Sequence, residues 1–168
     1  MFTNNYINFK KMMFFGSHDG LSYVLSTGNG LQANYGNSNY NNDFGKYMHK
    51  GYCGDPNFQR PGVYFGSGST PAARTDYRLE SVITSGLTIT GPTKAAIGAE
   101  GEGKYIVQSP FTVYNTSDAD INIYEVGYYS VVNNGDIALF DRTVLDEPIV
   151  IPAGQSKLVT YKLVFNQS

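Results

Sequence analysis

The sequence predicts an all-β protein whose main module is an antiparallel β-sandwich, either immunoglobulin-like or jelly-roll. Composition is the first observation: the 168 residues include 14 Tyr, 10 Phe and 19 Gly. Aromatic and β-branched side chains favour the half-buried surface of a sheet, and Gly and Asn supply the positive φ angles that tight turns require. Spacing is the second observation, because short apolar runs separated by turn residues, without a sustained helical period, are typical of small β-sandwiches.

Two regions of the chain differ in pattern. Residues 1–60 are rich in Asn, Gly, Tyr and Phe, and turn residues such as Gly28-Asn29-Gly30 interrupt them often. This pattern predicts a loop-rich N-terminal arm or subdomain. From residue 61 to residue 168 the pattern tightens into punctuated strands, which predicts the β-sandwich domain.

The aromatic side chains of the arm allow two interpretations. They fill a local core, or they dock on a neighbouring subunit, because Tyr and Phe bury a large area at a small cost in side-chain entropy. Charged residues make up only 15% of the chain, against about 25% in an average soluble domain, and this low charge favours docking. The candidate partner-contact residues are Tyr6, Phe9, Phe14, Phe15, Tyr23, Tyr35, Tyr40, Phe44 and Tyr47, within a wider set that also contains Tyr52 and Phe58.

The strand candidates of the second region follow one another closely. The first two are residues 62–65, before a turn-rich stretch, and residues 86–90, which end at a Gly-Pro pair. Residues 104–115 form a long candidate with Pro110 at its middle, and we expect a bend there because proline is tolerated only at a sheet edge or a bulge. Shorter candidates complete the chain at residues 147–152 and 157–165.

A β-hairpin is the clearest local prediction. Residues 120–132 alternate in a way that places Ile123 on one face and Val126 on the other. Asn134-Gly135 then supplies the strongest short hairpin signal, and residues 137–144 return as the partner strand.

Charged residues fall inside both predicted strands of the hairpin. Glu125 lies in the first strand, and Asp141 with Arg142 lies in the second. A charge that faces inward from a strand is costly unless it is paired. We therefore expect Arg142 to pair with Glu125 or with Asp146 and to fix the strand register, and an ion pair across a subunit interface is the alternative.

Catalytic and metal-binding patterns are weak. His18 and His49 lie far apart in loop-like sequence, and no GxSxG motif occurs. GSGST at residues 66–70 resembles a phosphate loop only superficially, because no lysine follows it. Asp118 and Asp120 fit an Asx-stabilised turn better than a calcium site, which needs about six to eight oxygen ligands. We expect neither an enzyme nor a bound cofactor or metal.

Charge and hydropathy narrow the classes of function that remain. The net charge is −2 and the cations are scattered, so we expect no nucleic-acid binding. No apolar run approaches about 18 residues, which argues against a membrane span. The lone cysteine, Cys53, excludes an intramolecular disulfide. The apolar run at residues 12–15 is too short for a secretory signal, so we expect use without export of that kind.

Three segments, in their order along the chain, resemble a pattern that is widespread in structural proteins of tailed bacteriophages. The first is a turn of the form G-T/S-G-x-T-P-A-x-x-x-D-Y-x-L after a strand, here FGSGSTPAARTDYRL at residues 65–79. The second has the form N-T-S/G-D-x-D-I-x-I-x-E-V/I-G-L/Y, here residues 115–128. The third is R-T-V-L-D-x-P-I-x-I-P-A-G at residues 142–154. The resemblance covers residues 62–165.

The resemblance implies a virion component that is made in the bacterial cytoplasm and assembled in many copies. Its partners would be other virion proteins, namely capsid, fibre or tail subunits, and further copies of itself. A capsid auxiliary (decoration) protein or an anchor for head fibres is the leading expectation, and a tail or collar component is the alternative within the class. A carbohydrate-binding β-sandwich of a receptor-binding fibre is a second class, which the absence of Trp makes weaker.

Overall fold

A computed structural model of the chain describes residues 1–4, 6, 22–24, 28, 30–32, 48, 50–53, 60–93, 95–99, 104–133 and 136–166. The secondary structure of these residues consists of ten strands, apart from helical backbone at Asn4 and Tyr6. The all-β fold that composition and spacing predict is therefore confirmed. The strands are β1 (Ser22–Val24), β2 (Gly30–Gln32), β3 (Gly51–Tyr52), β4 (Gly62–Gly66), β5 (Leu87–Thr90), β6 (Ala96–Ala99), β7 (Lys104–Asn115), β8 (Ile121–Asn133), β9 (Asp136–Ile151) and β10 (Ser156–Asn166).

One four-stranded sheet, which we call the hairpin sheet, has the order β3-β4-β8-β9. β8 and β9 pair antiparallel from Ile121 opposite Ile151 to Asn133 opposite Asp136, which confirms the predicted hairpin. β4 joins β8 antiparallel, and β3 adds to β4 in parallel. The turn residues 134 and 135 lie outside the described residues. β1 and β2 form a separate antiparallel pair.

The other four-stranded sheet, which we call the β7 sheet, explains the proline in its central strand. β10 pairs along one side of β7, while β5 and β6 share the other side, opposite residues 112–115 and 105–108. Among the described strands, residues 109–111 therefore face a gap between β5 and β6. Pro110 lies in this gap, where the ladder on that side does not need the N–H group that proline lacks. Beside it the hydroxyl of Ser109 is buried without a hydrogen-bond partner.

Side chains from both sheets meet in one hydrophobic core. The rings of Phe65 and Phe111, one from each sheet, meet edge to face with centroids 6.0 Å apart, an arrangement that aromatic pairs prefer. Burial of apolar area is worth about 25 cal/mol per Å², so this shared core is the main driving force for folding. The hairpin sheet contributes Val63, Phe65, Ile123, Tyr128 and Phe140, and the β7 sheet contributes Phe111, Val113, Val159, Tyr161 and Leu163.

Described residues from the first sixty belong to this same core. Phe2 bridges to Asp141 at the edge of β9. Tyr6 is 6% exposed, and its ring lies 4.1 Å from the ring of Phe2 and 6.2 Å from that of Phe140. Met48 is fully buried. These residues pack with the strands that follow residue 61 and do not stand apart as an arm. Only part of residues 1–60 is described, so the boundary at residue 61 stays a prediction.

The second strand of the hairpin is longer than the sequence indicated. The sequence predicts two strands here, at residues 137–144 and 147–152, whereas β9 runs unbroken to Ile151. Residues 145–148 form a wide bulge opposite Tyr124, between two regular stretches of pairing with β8. A bulge bends a strand without ending it, so Pro148 and the two acidic residues before it do not act as a break.

The same bulge changes which side chains of β8 face the core. The prediction that Val126 faces away from Ile123 is wrong, because both residues are buried in the shared core. Strict alternation would separate them, but the irregularity between Ile123 and Glu125 shifts the pattern by one residue. Glu125 consequently points to the opposite face of the hairpin sheet.

Candidate functional site

Glu125 on β8 and Arg142 on β9 form a buried ion pair on the face of the hairpin sheet that points away from the core. Arg142 stands opposite Gly127 in the strand register, and Glu125 is two residues from Gly127, so both charges project from one face. Arg142 Nε donates to Glu125 Oε2 at 2.7 Å. Asp146, the other partner considered for Arg142, is exposed on the bulge and forms no ion pair with it.

A loop between β4 and β5 covers this ion pair. The loop comprises residues 67–82, which we call the strap, and it ends where Val82 bridges back to Gly66 of β4. With Arg142, the Glu125 carboxylate has four donors, and this is how a buried charge is compensated for the loss of water. Three of the donors are strap N–H groups, those of Gly68 at 3.2 Å, Glu80 at 3.1 Å and Ser81 at 2.7 Å.

The Gly-rich turn at residues 66–70 uses its backbone to hold this carboxylate. A β-carbon at Gly68 would lie 2.6 Å from Glu125 Oε1 and 2.6 Å from Glu80 Cβ, so a larger residue would push the strap away. Backbone N–H groups in such turns cradle anions. Here the anion is the protein's own Glu125.

Arg142 holds the strap at further points. Its Nη1 donates to Asp76 Oδ2 at 2.8 Å, and its Nη2 donates to the carbonyl oxygen of Thr70 at 3.1 Å. Nη2 also lies 3.5 Å from Glu80 Oε2. Burial by itself lowers the pKa of Arg142, but the bonds to Asp76 and Glu125 outweigh it and raise the pKa above its usual value. The guanidinium is therefore a fixed cation that joins both strands of the hairpin to the strap.

The two ends of the strap are also fastened to each other. Thr70 donates to Glu80 twice, from its hydroxyl to Oε1 at 2.7 Å and from its N–H to Oε2 at 2.8 Å. Both bonds lower the pKa of Glu80, and the bond from the hydroxyl has the larger effect. At the crest of the strap Ala73 N–H donates to Asp76 Oδ2 at 2.8 Å. Side-chain bonds thus hold the strap in shape, together with backbone bonds from Ser67 N–H to Ser81 and from Asp76 N–H to Ala73.

A hydrophobic plug completes the attachment of the strap. Leu79 is buried, and its N–H donates to the hydroxyl of Tyr129 at 2.8 Å. Burial raises the pKa of Tyr129 well above its usual value, so this hydroxyl stays protonated. The plug excludes water from one side of the ion pair. Its members are Tyr64, Leu79, Tyr129, Ile137 and Leu139.

A second buried carboxylate, Asp141, lies on the core side of β9. The ammonium of Met1 is 3.0 Å from Asp141 Oδ1, and the hydroxyl of Tyr161 donates to Asp141 Oδ2 at 2.8 Å. Burial, followed by the charge of Asp141, raises the pKa of Tyr161 well above its usual value. The hydroxyl of Thr3 donates to the carbonyl oxygen of Leu139 at 2.6 Å. This network ties the first residues and β10 to the hairpin.

The partner-contact candidates are mostly outside the described residues. Tyr6 is the one whose side chain is described, and it is buried in the chain's own core, where burial raises its pKa to about 12. Tyr23 lies in β1, and its side chain is outside the described set. Of the wider set, Tyr52 packs on Tyr64 with centroids 5.5 Å apart. The candidates that lie outside the described residues are Phe9, Phe14, Phe15, Tyr35, Tyr40, Phe44, Tyr47 and Phe58, together with His18 and His49.

The acidic turn between β7 and β8 has a structural partner. Asp120 Oδ1 accepts a hydrogen bond from Ala153 N–H at 3.0 Å, which links this turn to the one before β10. Over the described ranges, no group of three or more His, Cys, Asp or Glu side chains could hold a metal ion. No helix in the described part of the chain is long and apolar enough to cross a membrane. Cys53 is a free, half-buried thiol whose pKa is raised by burial.

Sequence reasoning missed the strap's share of this site. The sequence predicts the pairing of Glu125 with Arg142 because each lies within a predicted strand. Asp76 lies in a turn, and no local pattern there indicates that it contacts Arg142. One signal was present: a carboxylate has about four lone-pair sites, so a single arginine leaves a buried Glu125 with bonds still to make. Backbone N–H groups from a Gly-containing loop are the usual remaining donors.

The fold and site define an all-β protein in which a polar strap is tethered across the outer face of a β-hairpin. The tether consists of the ion pairs that Arg142 makes with Asp76 and with Glu125. Comparison with protein-family models, with curated proteins and with solved structures finds no match to this chain.

Proposed function

We propose that the chain is a non-enzymatic structural component of a bacteriophage virion, made in the host cytoplasm and assembled in many copies with capsid, fibre or tail subunits. Within that class we favour a capsid auxiliary (decoration) protein or an anchor for head fibres. A tail or collar component is the alternative. The particular fold proposed for residues 61–168 is a β-sandwich, immunoglobulin-like or jelly-roll.

The observation that carries the proposal is the contact between the three phage-like segments. Asp76 belongs to the first segment, Glu125 to the second and Arg142 to the third, and Arg142 bonds to both carboxylates. Each segment alone is a turn sequence that unrelated proteins could acquire by convergence. The resemblance gains weight because one charged residue from each of the three segments belongs to the same network.

The sandwich is supported by the position of the core. Both four-stranded sheets contribute side chains to the same hydrophobic cluster, as two packed sheets do when their inner faces interdigitate. Alternation in β10 agrees with this arrangement, because Val159, Tyr161 and Leu163 are buried while Leu158 and Thr160 are exposed.

A structural role is supported by the way the buried charges are used. Glu125 accepts four hydrogen bonds, and Arg142 bonds to Glu125, Asp76 and a strap carbonyl. A general acid or base must reach a proton of its substrate. These groups instead have their bonding capacity filled by the protein, and this suits a fixed scaffold.

A carbohydrate-binding β-sandwich of a receptor-binding fibre is the second candidate. The observation in its favour is Tyr114, a residue that is 40% exposed on the β7 sheet, since an exposed aromatic face is suited to stacking on an apolar sugar face. A glycan array discriminates the two candidates. Binding that Tyr114→Ala abolishes would support the second candidate, and an array without any binder would remove it.

The proposal is tested on particles. Virions purified from a lysate of the host that carries the gene should contain the chain in a fixed multiple of the copy number of another virion protein, as measured by quantitative mass spectrometry. Immunogold labelling then separates head from tail. If the chain is abundant in the lysate but absent from washed particles, the proposal fails.

A further inference from the structure

The strap is fastened to the hairpin sheet at few points. Of its residues, Gly68 and Leu79 are the buried ones, and the others are exposed or half-buried. Its two ends are joined at the base by the bond from Ser67 N–H to the carbonyl oxygen of Ser81 at 2.7 Å, which does not involve the side chains of the sheet. Segments with few buried apolar contacts open more readily than the rest of a fold. The strap is therefore able to lift from the sheet as one unit.

The Glu125 carboxylate has no position left for a proton while the strap is closed. Its Oε1 accepts from the N–H groups of Gly68 and Ser81, and its Oε2 accepts from the N–H of Glu80 and from Nε of Arg142. A carboxylate has about four lone-pair sites, and these four donors fill them. A protonated carboxyl carries an O–H group that must itself donate, whereas each of these four neighbours is a donor. Glu125 therefore takes up a proton only after a donor has moved away, and acid favours the open strap.

Two carboxylates of the strap share the guanidinium with Glu125, and we call Asp76, Glu80, Glu125 and Arg142 the latch. The nitrogens of Arg142 lie 2.8 Å from Asp76, 3.5 Å from Glu80 and 2.7 Å from Glu125. Each proton that one of these carboxylates takes up removes part of the attraction that holds the strap. The hydroxyl and the N–H of Thr70, followed by the charge of Arg142, lower the pKa of Glu80. The contribution of Glu80 to closure is therefore present above the pKa of a free glutamate, about 4.3, and is lost as pH falls through the lower pKa of the closed state.

The groups around the latch do not reverse this effect in acid. Tyr129 stays protonated, because burial raises its pKa well above the usual value. Arg78 keeps its charge, since a guanidinium is not deprotonated in proteins. Asp146 is exposed and forms no ion pair with the latch, and the ammonium of Met1 is paired with Asp141. The titratable or charged groups of the described residues that face the latch or line the cavities beside it are Tyr64, Tyr77, Tyr129, Arg78, Asp146 and the ammonium of Met1.

We propose that the latch is an acid-sensitive switch: when its carboxylates are protonated, the strap lifts from the hairpin sheet while both four-stranded sheets stay folded. Lifting withdraws Leu79 from the hydrophobic plug and exposes Tyr129 and Leu139, which the strap covers at neutral pH. Closure returns when the carboxylates lose their protons again. The inference goes beyond the proposed function and rests on the latch alone, so it holds or fails whatever the chain assembles with.

The test is amide hydrogen exchange of the full chain, followed by nuclear magnetic resonance and expressed as protection relative to an unfolded chain at the same pH. The reporters are the strap N–H groups that bond to side chains of the sheet, those of Gly68, Leu79, Glu80 and Ser81. The reference is the ladder between β7 and β10. Between about pH 7 and about pH 3.5, a range that spans the ordinary pKa of carboxyl groups, the reporters should lose protection at least about tenfold more than the reference. Return to neutral pH should restore it.

Variants that imitate protonation sharpen the test. Glu125→Gln puts an NH₂ group, which donates, among the four donors, so its reporters should be poorly protected already at neutral pH while the reference stays protected. Asp76→Asn makes the same change at the crest of the strap and carries the test if Glu125→Gln does not fold. Asp118→Asn, at an exposed position outside the latch, is the matched control and should behave like the wild type at every pH.

Three outcomes would overturn the inference. The first is that the reporters of the wild type keep their protection in acid. The second is that strap and reference lose protection together, because acid would then unfold the whole domain without a separate opening. The third is that the folded variants of the latch protect the strap at neutral pH as well as Asp118→Asn does. Absence of the chain from particles would contradict only the proposed function.

Discussion

Leu79 of the strap occupies the space in front of Gly127 of β8: a β-carbon on Gly127 would lie 2.7 Å from Leu79 Cδ2 and 3.0 Å from Leu139 Cδ1. Gly127 is also the register partner of Arg142. The absence of a side chain at Gly127 thus makes room for the hydrophobic plug beside Arg142. The strap lies close to the sheet because Gly127 is small.

Gly127→Ala should therefore destabilise the protein by about 1–3 kcal/mol, the usual cost of overpacking a well-packed site. Urea unfolding followed by circular dichroism measures the change. Gly98→Ala is the matched control, since its β-carbon would meet the nearest atom, Ile106 Cγ1, at an ordinary 3.6 Å. Equal stability of the two variants would show that the plug does not press on Gly127.

Arg142→Met removes the cation that joins Glu125 to the strap. The expected loss is about 3–5 kcal/mol, because breaking a buried pair leaves a buried charge without its partner. Adding Glu125→Gln should cost less than the sum of the two single changes, since the pair acts as a unit. Chemical unfolding of the wild type, both single variants and the double variant gives the coupling.

Release of the strap gives a separate measurement of the same change. Arg74 and Arg78 are exposed in the strap, so trypsin should cut there faster in Arg142→Met than in the wild type. Lys157→Met, at an exposed position on β10, is the control for loss of a cation. Unchanged cleavage in the strap would mean that Arg142 does not hold it.

The sequence predicted those parts of the fold that depend on local pattern. Alternation and Asn134-Gly135 located the hairpin, and two charges within neighbouring predicted strands predicted the pairing of Glu125 with Arg142. Asp76 was beyond such reasoning, because its contact with Arg142 joins residues 66 apart in the chain and depends on where a loop folds back. The burial of Tyr6 is likewise a tertiary contact, made with rings on β9 and β10.

Core packing in the first sixty residues can be tested at Met48. Met48→Ala should cost about 2–5 kcal/mol, because a fully buried side chain leaves a cavity when it is truncated. Leu158→Ala is the control, at a position that is 68% exposed, and it should change stability by about 0.5 kcal/mol or less. An arm that lies outside the core would tolerate both changes equally, and that outcome would contradict the packing described for Met48.

Tyr6 makes stability depend on alkaline pH. Its pKa is raised from 10.0 to about 12 in the folded protein, so the folded state keeps a proton that the unfolded chain loses. The contribution is complete below the unfolded pKa and is lost as pH rises through the folded pKa. The free energy of unfolding should fall between pH 10 and about 12, and Tyr6→Phe should make that fall less steep. Equal slopes for the wild type and Tyr6→Phe would contradict the argument.

The last prediction follows from the bulge opposite Tyr124 and concerns two core positions of β8. Ile123→Asp should unfold the protein, because burying an unpaired carboxylate costs several kcal/mol, which is comparable with the whole stability of a domain. Simple alternation would leave Val126 on the other face, but the structure buries both residues in the shared core, so Val126→Asp should be as damaging. Asn122→Asp, at the exposed position just before Ile123, should melt like the wild type. Thermal melting followed by far-ultraviolet circular dichroism measures all three, and a cooperatively melting, soluble Val126→Asp variant would show that the alternation of β8 is not shifted by the bulge.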